Sequence, residues 1–246
     1  MEYYTKKFEI DAHDVDYNGI ARASALMRIM QSTAEAQLTD SHLSYDELKD
    51  RNRAFILSRM RMEFTEDIRA YDRVLGVTFP CHSTGYSFLR CYELMMGDAI
   101  VGRAASVWAL VDTDSRALVK VNDFDLGITT YTPLDYSITR FIVPKTAAEV
   151  GKYRVDYSVT DRNRHMNNTR YPDMYASFLN MEGKRIAEIA INYINEAPMG
   201  ALLTVYLASD GDIHYFRTVR EDGKVNSEAE IRLVDIKQGR RSKSVV

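Results

Sequence analysis

Apolar positions along the chain fall alternately at two spacings. Leu26, Ile29, Met30, Thr33, Ala34 and Leu38 lie on one helical face. From Tyr71 to Val121 the text turns strand-like, rich in Val, Ile, Tyr and Phe. It is broken at Ser83–Gly85, Gly97–Asp98 and Asp112–Ser115. Helical spacing returns at Tyr171, Met174, Tyr175, Phe178 and Leu179. Pro172 falls in the first turn of that helix, where a missing N–H costs little, and Asn167, Asn168 or Thr169 can cap it. Strand text resumes from Gly200 to Ile236, broken at Asp210–Gly211 and Asp222–Gly223. Asp-Gly favours the tight turn whose twist matches antiparallel strands.

The pattern is one order made twice: short strand, polar loop, amphipathic helix, about four antiparallel strands. The loops repeat as well. "DVDYNGIARA" lies over "VTDRNRHMNN" so that Asp16 meets Asp161, Asn18 meets Asn163 and Ile20 meets His165. This predicts an α+β chain of two tandem hotdog domains, each a curved antiparallel sheet wrapped around one long helix. The expected boundaries are 1–121 for the first unit, 122–150 for a linker and 151–246 for the second. The aromatics of the linker predict that it packs on the surface rather than acting as a tether. Two such sheets pair edge to edge, which removes an exposed strand edge from each.

Composition narrows the function. The 246 residues are 46% hydrophobic, enough for a substantial core. A net charge of −3 and a pI near 6.0 do not suit a nucleic-acid binder. The basic carboxyl end, "KQGRRSKSVV", reads as a solvated tail, with docking of an acidic partner as the alternative. Cys81 and Cys91 are the only cysteines, in no metal-type spacing, as suits a reducing compartment. "MEYYTKKFEI" holds no apolar signal core, and no run is long enough to span a membrane. The expectation is a cytoplasmic protein with no cofactor, monomeric by internal pairing or a homodimer.

One stretch is too polar to be packing material. "TDRNRHMNNTRY", Thr160 to Tyr171, places Asp161, Asn163 and His165 at every second position and leads into the second helix. Asp and Asn alone are explained by loop hydrogen bonding. A histidine in one copy only is not. His13, His42, His82 and His214 are scattered and read as ordinary residues. No HExxH, HxH or CxxC spacing marks a metal site, and no Gly-rich phosphate loop or GxSxG elbow occurs. Cys81 and Cys91 sit in strand-like text, and neither is expected to be a nucleophile. Glu196, in "INYINEAPMGALL", closes an apolar strand and would otherwise be an edge glutamate near a turn.

At these residues the chain resembles the acyl-acyl-carrier-protein (acyl-ACP) thioesterases of plant plastids and bacteria. "DRNRHMNNTRY" matches the family motif Asp-x-Asn-x-His, then Met/Val-Asn-Asn and an aromatic. The resemblance implies that Asp161, Asn163 and His165 are catalytic. "NYINEAP" matches a downstream Tyr-x-x-Glu-Cys, which adds Glu196 and places Ala197 at the cysteine. A cysteine nucleophile is therefore excluded at that position. The likeness runs from about residue 3 to 236, with no plastid transit segment, as in a bacterial form.

The resemblance implies hydrolysis of acyl-ACP to a free fatty acid. Glu196 and His165 would activate water, while Asp161 would orient the site or attack the carbonyl itself. Asn163 would hold the thioester or the water, and helix-start amides would meet the oxyanion. The first unit would bind the acyl chain, with Met27, Met30, Ile56 and Met60 as candidate neighbours. Arg162, Arg164, Arg170, Lys184 and Arg185 are candidates for docking the acidic carrier protein. Alternatives are an acyl-CoA thioesterase, a non-catalytic fatty-acyl binder and a hotdog dehydratase.

Overall fold

The computed structural model describes residues 3–136, 138 and 140–237. The basic tail beyond Lys237, with its alternative docking role, lies outside the described residues. The first half holds β1 (Tyr4–Glu9), α1 (Ala23–Asp40), α2 (Tyr45–Asp50), β2 (Arg53–Phe64), β3 (Arg73–Pro80), β4 (Phe88–Met96), β5 (Ala99–Asp112) and β6 (Leu118–Val119). The second holds β7 (Ala148–Arg154), α3 (Tyr171–Ala176), β8 (Lys184–Tyr193), β9 (Leu202–Asp210), β10 (Ile213–Arg220) and β11 (Val225–Asp235).

All strands join one antiparallel sheet in the order β1-β3-β4-β5-β2-β8-β11-β10-β9-β7, with β6 paired to β5. Read outward from the centre, the order is the same on both sides, as a tandem hotdog pair requires. The halves join where β2 meets β8. Met60 faces Ile191 and Met62 faces Ile189 across that seam, and all four side chains are buried. The apolar faces of the two units therefore form one core rather than two. On the outer face the seam carries an ion pair between Arg61 and Glu188.

α1 lies on the concave side of the first half. Its Leu26, Ile29, Met30, Thr33 and Ala34 are buried as their spacing predicts. Gly76 on β3 permits the close approach, because a Cβ there would sit 2.4 Å from Thr33 Oγ1 and 3.4 Å from Ile29 Cγ2. Thr33 cannot swing away freely, since its hydroxyl donates to the Ile29 carbonyl at 2.8 Å. Gly76→Ala is expected to cost about 1–3 kcal/mol, the usual range for overpacking, read as a shift in the denaturant midpoint.

The second helix is shorter than its spacing predicts. Tyr171, Met174 and Tyr175 are buried in α3, but Phe178 and Leu179 fall beyond its end. Their N–H groups bond three residues back, to Tyr175 and Ala176, which tightens the chain into a turn. The Ser177 hydroxyl takes the Asp173 carbonyl at 2.8 Å. Asn180 Oδ1 then accepts from Glu182 N at 3.1 Å, and Gly183 at φ +65° redirects the chain into β8. One long helix thus serves the first half only.

α2 was not anticipated, although its signal is present. Ser44 accepts from Glu47 N while the Glu47 carboxylate accepts from Ser44 N at 2.8 Å, a reciprocal cap. The connecting segment lies against the outer face of the first half. Tyr131, Leu134, Tyr136 and Ile138 pack around Phe79, Cys81, Cys91 and Ala105. Among the described residues no helix is long and apolar enough to cross a membrane.

Candidate active site

The polar loop before α3 is a tight turn closed on itself. Asp161 N donates to the His165 carbonyl at 2.9 Å, and Arg164 N to the Asp161 carbonyl at 3.0 Å. Asp161 Oδ1 accepts from Asn163 N at 2.8 Å and, weakly, from His165 N at 3.4 Å. The turn needs one left-handed residue, and Arg164 supplies it at φ +63°.

The first-half loop is built the same way. Asp16 N donates to the Ile20 carbonyl at 2.8 Å, and Asp16 Oδ1 accepts from Asn18 N at 2.9 Å and Ile20 N at 3.1 Å. Its left-handed residue is Gly19, at φ +72°. The shared aspartate is thus a turn residue in both copies. The asparagines are shared for another reason: each reaches across to the opposite half. Asn18 Nδ2 donates to the Met181 carbonyl at 2.7 Å, and Asn163 Oδ1 accepts from the Tyr45 hydroxyl at 2.8 Å. Position 165 sets the second loop apart chemically, with His where the first loop has the buried Ile20.

The turn is stitched to the segment after β8. Met166 N donates to the Ala197 carbonyl and Met199 N to the Arg164 carbonyl, both at 2.8 Å. That two-point seam brings Glu196 beside the histidine although 31 positions separate them: His165 Nε2 lies 3.4 Å from Glu196 Oε2. The His165 side chain is 33% exposed and that of Glu196 61%, so the pair is open to solvent. Arg220 Nη1 donates to the Glu196 carbonyl at 3.0 Å and fixes its backbone. Ala197 is buried in the core, so its side chain lies away from solvent.

Beneath the pair is a polar network that the sequence reading missed. Asn226, fully buried, donates from Nδ2 to the Tyr171 hydroxyl at 3.0 Å and to the Asn195 carbonyl at 2.5 Å, next to Glu196. Thr218 Oγ1 donates to Asn226 Oδ1 at 2.9 Å, and the Ser227 hydroxyl pairs with Tyr175 at 2.7 Å. Burial, with the charges of Asp161 and Glu196 acting in the same direction, pushes the Tyr171 hydroxyl up to about 12. It is a neutral donor at physiological pH. The only sequence trace of this network was a polar Asn-Ser step in strand-like text.

A groove open to solvent runs between α1 and the first-half sheet. Ala34, Leu38, Phe55, Phe88 and Trp108 supply its apolar walls. The four residues proposed for acyl contact are not on this lining: Met27, Met30 and Met60 are buried in the core, and Ile56 is 43% exposed on β2. Glu35 connects the groove to the polar turn. Burial raises its pKa, opposed by the nearby charge of Arg162. Arg162 in turn stacks 4.0 Å over the Tyr45 ring and pairs with Asp46 at 3.5 Å.

Of the five candidate docking cations, Arg164 is exposed and Arg170 half-buried, and neither side chain is ion-paired among the described residues. Lys184 is held by Asp212 at 2.8 Å and Asp235 at 3.7 Å. Arg185 is a correction. It is 6% exposed, bonded to Asp67 at 2.7 Å and to the Phe64 carbonyl at 2.9 Å, and has no free face to offer a partner. Among the described residues no group of three or more His, Cys, Asp or Glu is gathered as metal ligands would be.

The family model for the acyl-ACP thioesterase N-terminal domain matches residues 1–125, and that for the acyl-ACP thioesterase C-terminal domain matches 142–244. Among solved structures, an acyl-ACP thioesterase from Bacteroides thetaiotaomicron superposes with a TM-score of 0.85 at 20% identity, covering 94% of this chain and 97% of that one. A 12:0-ACP thioesterase from Umbellularia californica gives a TM-score of 0.81 at 16% identity, over 94% and 97%. At such identities the likeness carries the fold alone. Comparison with curated proteins gives no match.

Proposed function

Since the chain belongs to the acyl-ACP thioesterase family, we propose that it hydrolyses acyl-ACP to a free fatty acid with His165 and Glu196 as its proton-transferring pair. The observation that carries this is the 3.4 Å approach of the two side chains, at a turn whose first-half copy has Ile20 in place of the histidine. A thioester needs an activated nucleophile and a donor for the developing oxyanion. It needs little help with its leaving group, whose pKa is around 8.5 for a model thiol.

Water is the nucleophile in this reading. Glu196 and His165 orient it and take its proton, and neutral pH lies close to the range of an imidazole. Asp161 is assigned a positioning role. Its Oδ1 is engaged by two backbone N–H groups, as is that of Asp16 in the half without a histidine. Asn163 has its Oδ1 fixed by Tyr45, which leaves Nδ2 as a donor for the thioester oxygen. The helix-start amides are less free for that task, because Asn167 Oδ1 already accepts from Thr169 N at 2.9 Å. The acyl chain is assigned to the groove beside α1. The experiment is a hydrolysis panel across acyl lengths on carrier protein, where release of free thiol supports the reading and its absence at every length ends it.

Docking of an acidic carrier is assigned to Arg164 and Arg170. Arg164→Gly tests this with little disturbance, because two effects offset. Relief of a left-handed non-glycine residue gains about 1–2 kcal/mol, and the added unfolded-state freedom costs about 0.5–1 kcal/mol. Stability is expected to stay within about 1 kcal/mol, while KM for acyl-ACP rises and turnover of the same acyl group on a small thiol is unchanged. Added salt should slow the carrier-protein reaction and leave the small thioester alone. Equal salt response for the two substrates would contradict the docking assignment.

A further inference from the structure

The groove beside α1 has a polar end that a hydrocarbon chain does not explain. Arg90 lines it from β4 and is only 7% exposed. Among the described residues it has no carboxylate partner. Its hydrogen bonds run from one nitrogen, Nη1, to two neutral acceptors, Gln37 Oε1 at 2.6 Å and Thr78 Oγ1 at 3.1 Å. Its remaining N–H groups have no acceptor there. Burial draws its pKa down, as expected for a desolvated guanidinium. A buried cation is normally paired, so one without a counter-ion calls for a reason.

Nearby acids do not supply one. Glu35 lines the same groove, but the cations acting on it are Arg162 and Lys6. Cys91 is next in sequence and therefore on the opposite face of β4, packed with Phe79, Cys81 and Ala105. The surroundings of Arg90 are otherwise hydroxyls and an indole. Ser106 Oγ accepts from Trp108 Nε1 at 2.7 Å and meets the Tyr92 hydroxyl at 3.2 Å.

A second observation points the same way. Gln31, also on the groove lining, has its Nε2 buried without a hydrogen-bond partner. It precedes Gln37 by six positions, roughly 9 Å along the helix. Both unmet groups are donors. The complementary ligand carries acceptor oxygens, and a negative one at the guanidinium.

We propose that the groove takes acyl chains whose far end bears a carboxylate, with Arg90 as counter-ion and Gln31 donating to an oxygen of the bound chain. The substrate class is then the monothioester of a dicarboxylic acid. The proposal rests on the reading that this groove holds the acyl chain. A plain alkyl chain would leave Arg90 dry and unpaired, and an unpaired buried donor is what allows a site to reject an analogue lacking the matching group. Because Arg90 already has two neutral acceptors, the expected preference is roughly 10- to 100-fold, the range of one charge-assisted hydrogen bond.

The test compares alkanoyl and ω-carboxyalkanoyl thioesters of matched length on carrier protein, by kcat/KM, with the full chain and with Arg90→Met. The full chain is expected to favour the ω-carboxy series at its best length. Arg90→Met should lose that preference, with kcat/KM falling further for the ω-carboxy substrates than for their alkanoyl partners. Faster cleavage of the alkanoyl partner at every length would overturn the proposal, and that comparison stands even if Arg90→Met does not fold. Binding of the same two series as uncleavable amide analogues, read by calorimetry, separates this inference from the catalytic one. Tighter binding of the ω-carboxy analogues without any thioester cleavage would remove the catalytic reading and support this one. Equal or weaker binding would remove this one, whatever the activity.

Discussion

Replacing His165 or Glu196 by alanine is expected to lower turnover of acyl-ACP roughly 10²–10⁴-fold, the usual contribution of a positioned proton carrier. The fold should survive. The His165 side chain is one-third exposed and the Glu196 side chain mostly exposed, and substitutions at such sites usually change stability by about 0.5 kcal/mol or less. The loss should fall on kcat, since neither group belongs to the groove that is assigned the acyl chain. Removing both should cost little more than removing one, because members of a unit that acts together are not additive. Glu196→Gln is the sharper variant. It keeps size and hydrogen bonding while removing the base, and should approach the alanine variant in rate. Normal turnover in the single variants would remove the assignment.

The largest expected effect on stability lies at the matching position of the first half. Ala21 N bonds the Ile68 carbonyl at 2.8 Å, as Met166 N bonds that of Ala197, so Asp67 occupies the place of Glu196. There the carboxylate has no histidine beside it. It is bound to Arg185 at 2.7 Å, with both side chains 7% exposed, and it also accepts from Lys237 N at 2.9 Å. Asp67→Ala leaves the guanidinium of Arg185 buried without its partner. The expected cost is about 3–5 kcal/mol, read from chemical denaturation. Arg185→Ala should cost less, because Asp67 keeps a second ion pair, to Arg69 at 3.3 Å. Replacing both at once, as Asp67→Leu with Arg185→Met, should recover much of the loss, because an apolar pair of similar volume avoids the desolvation cost. Folded protein of the double variant should keep its kcat. A large drop in kcat at full stability would mean that the first-half copy takes part in chemistry after all.

The contrast between these positions explains how much could be read in advance. The duplication was legible because a helix and four strands each carry their own period, and because two Asp-x-Asn loops align. The loop chemistry was legible in part. One histidine without a counterpart set the second copy apart, whereas the bonds by which Asp161 holds Asn163 N and His165 N are invisible in sequence. The length of the second helix was misjudged, since apolar spacing continues through Phe178 and Leu179 while their N–H groups had already turned to closer acceptors. Long-range placement was the least accessible. Arg185 resembles a surface cation until Asp67, 118 positions away, is found beside it. Tyr45 and Asn226 reach the site from other elements, with no local pattern to announce them. Met27, Met30 and Met60, named as neighbours of an acyl chain, are buried among the core side chains, which their sequence positions alone do not distinguish from a lining.

The account turns on water delivered by the His165–Glu196 pair, and a single turnover in water enriched in heavy oxygen tests that delivery most directly. With enzyme in excess over acyl-ACP, the predicted product is a fatty acid carrying one solvent oxygen, with none incorporated into the protein. An unlabelled fatty acid, with the solvent oxygen found in the Asp161 carboxylate, would contradict it and make that aspartate the attacking group.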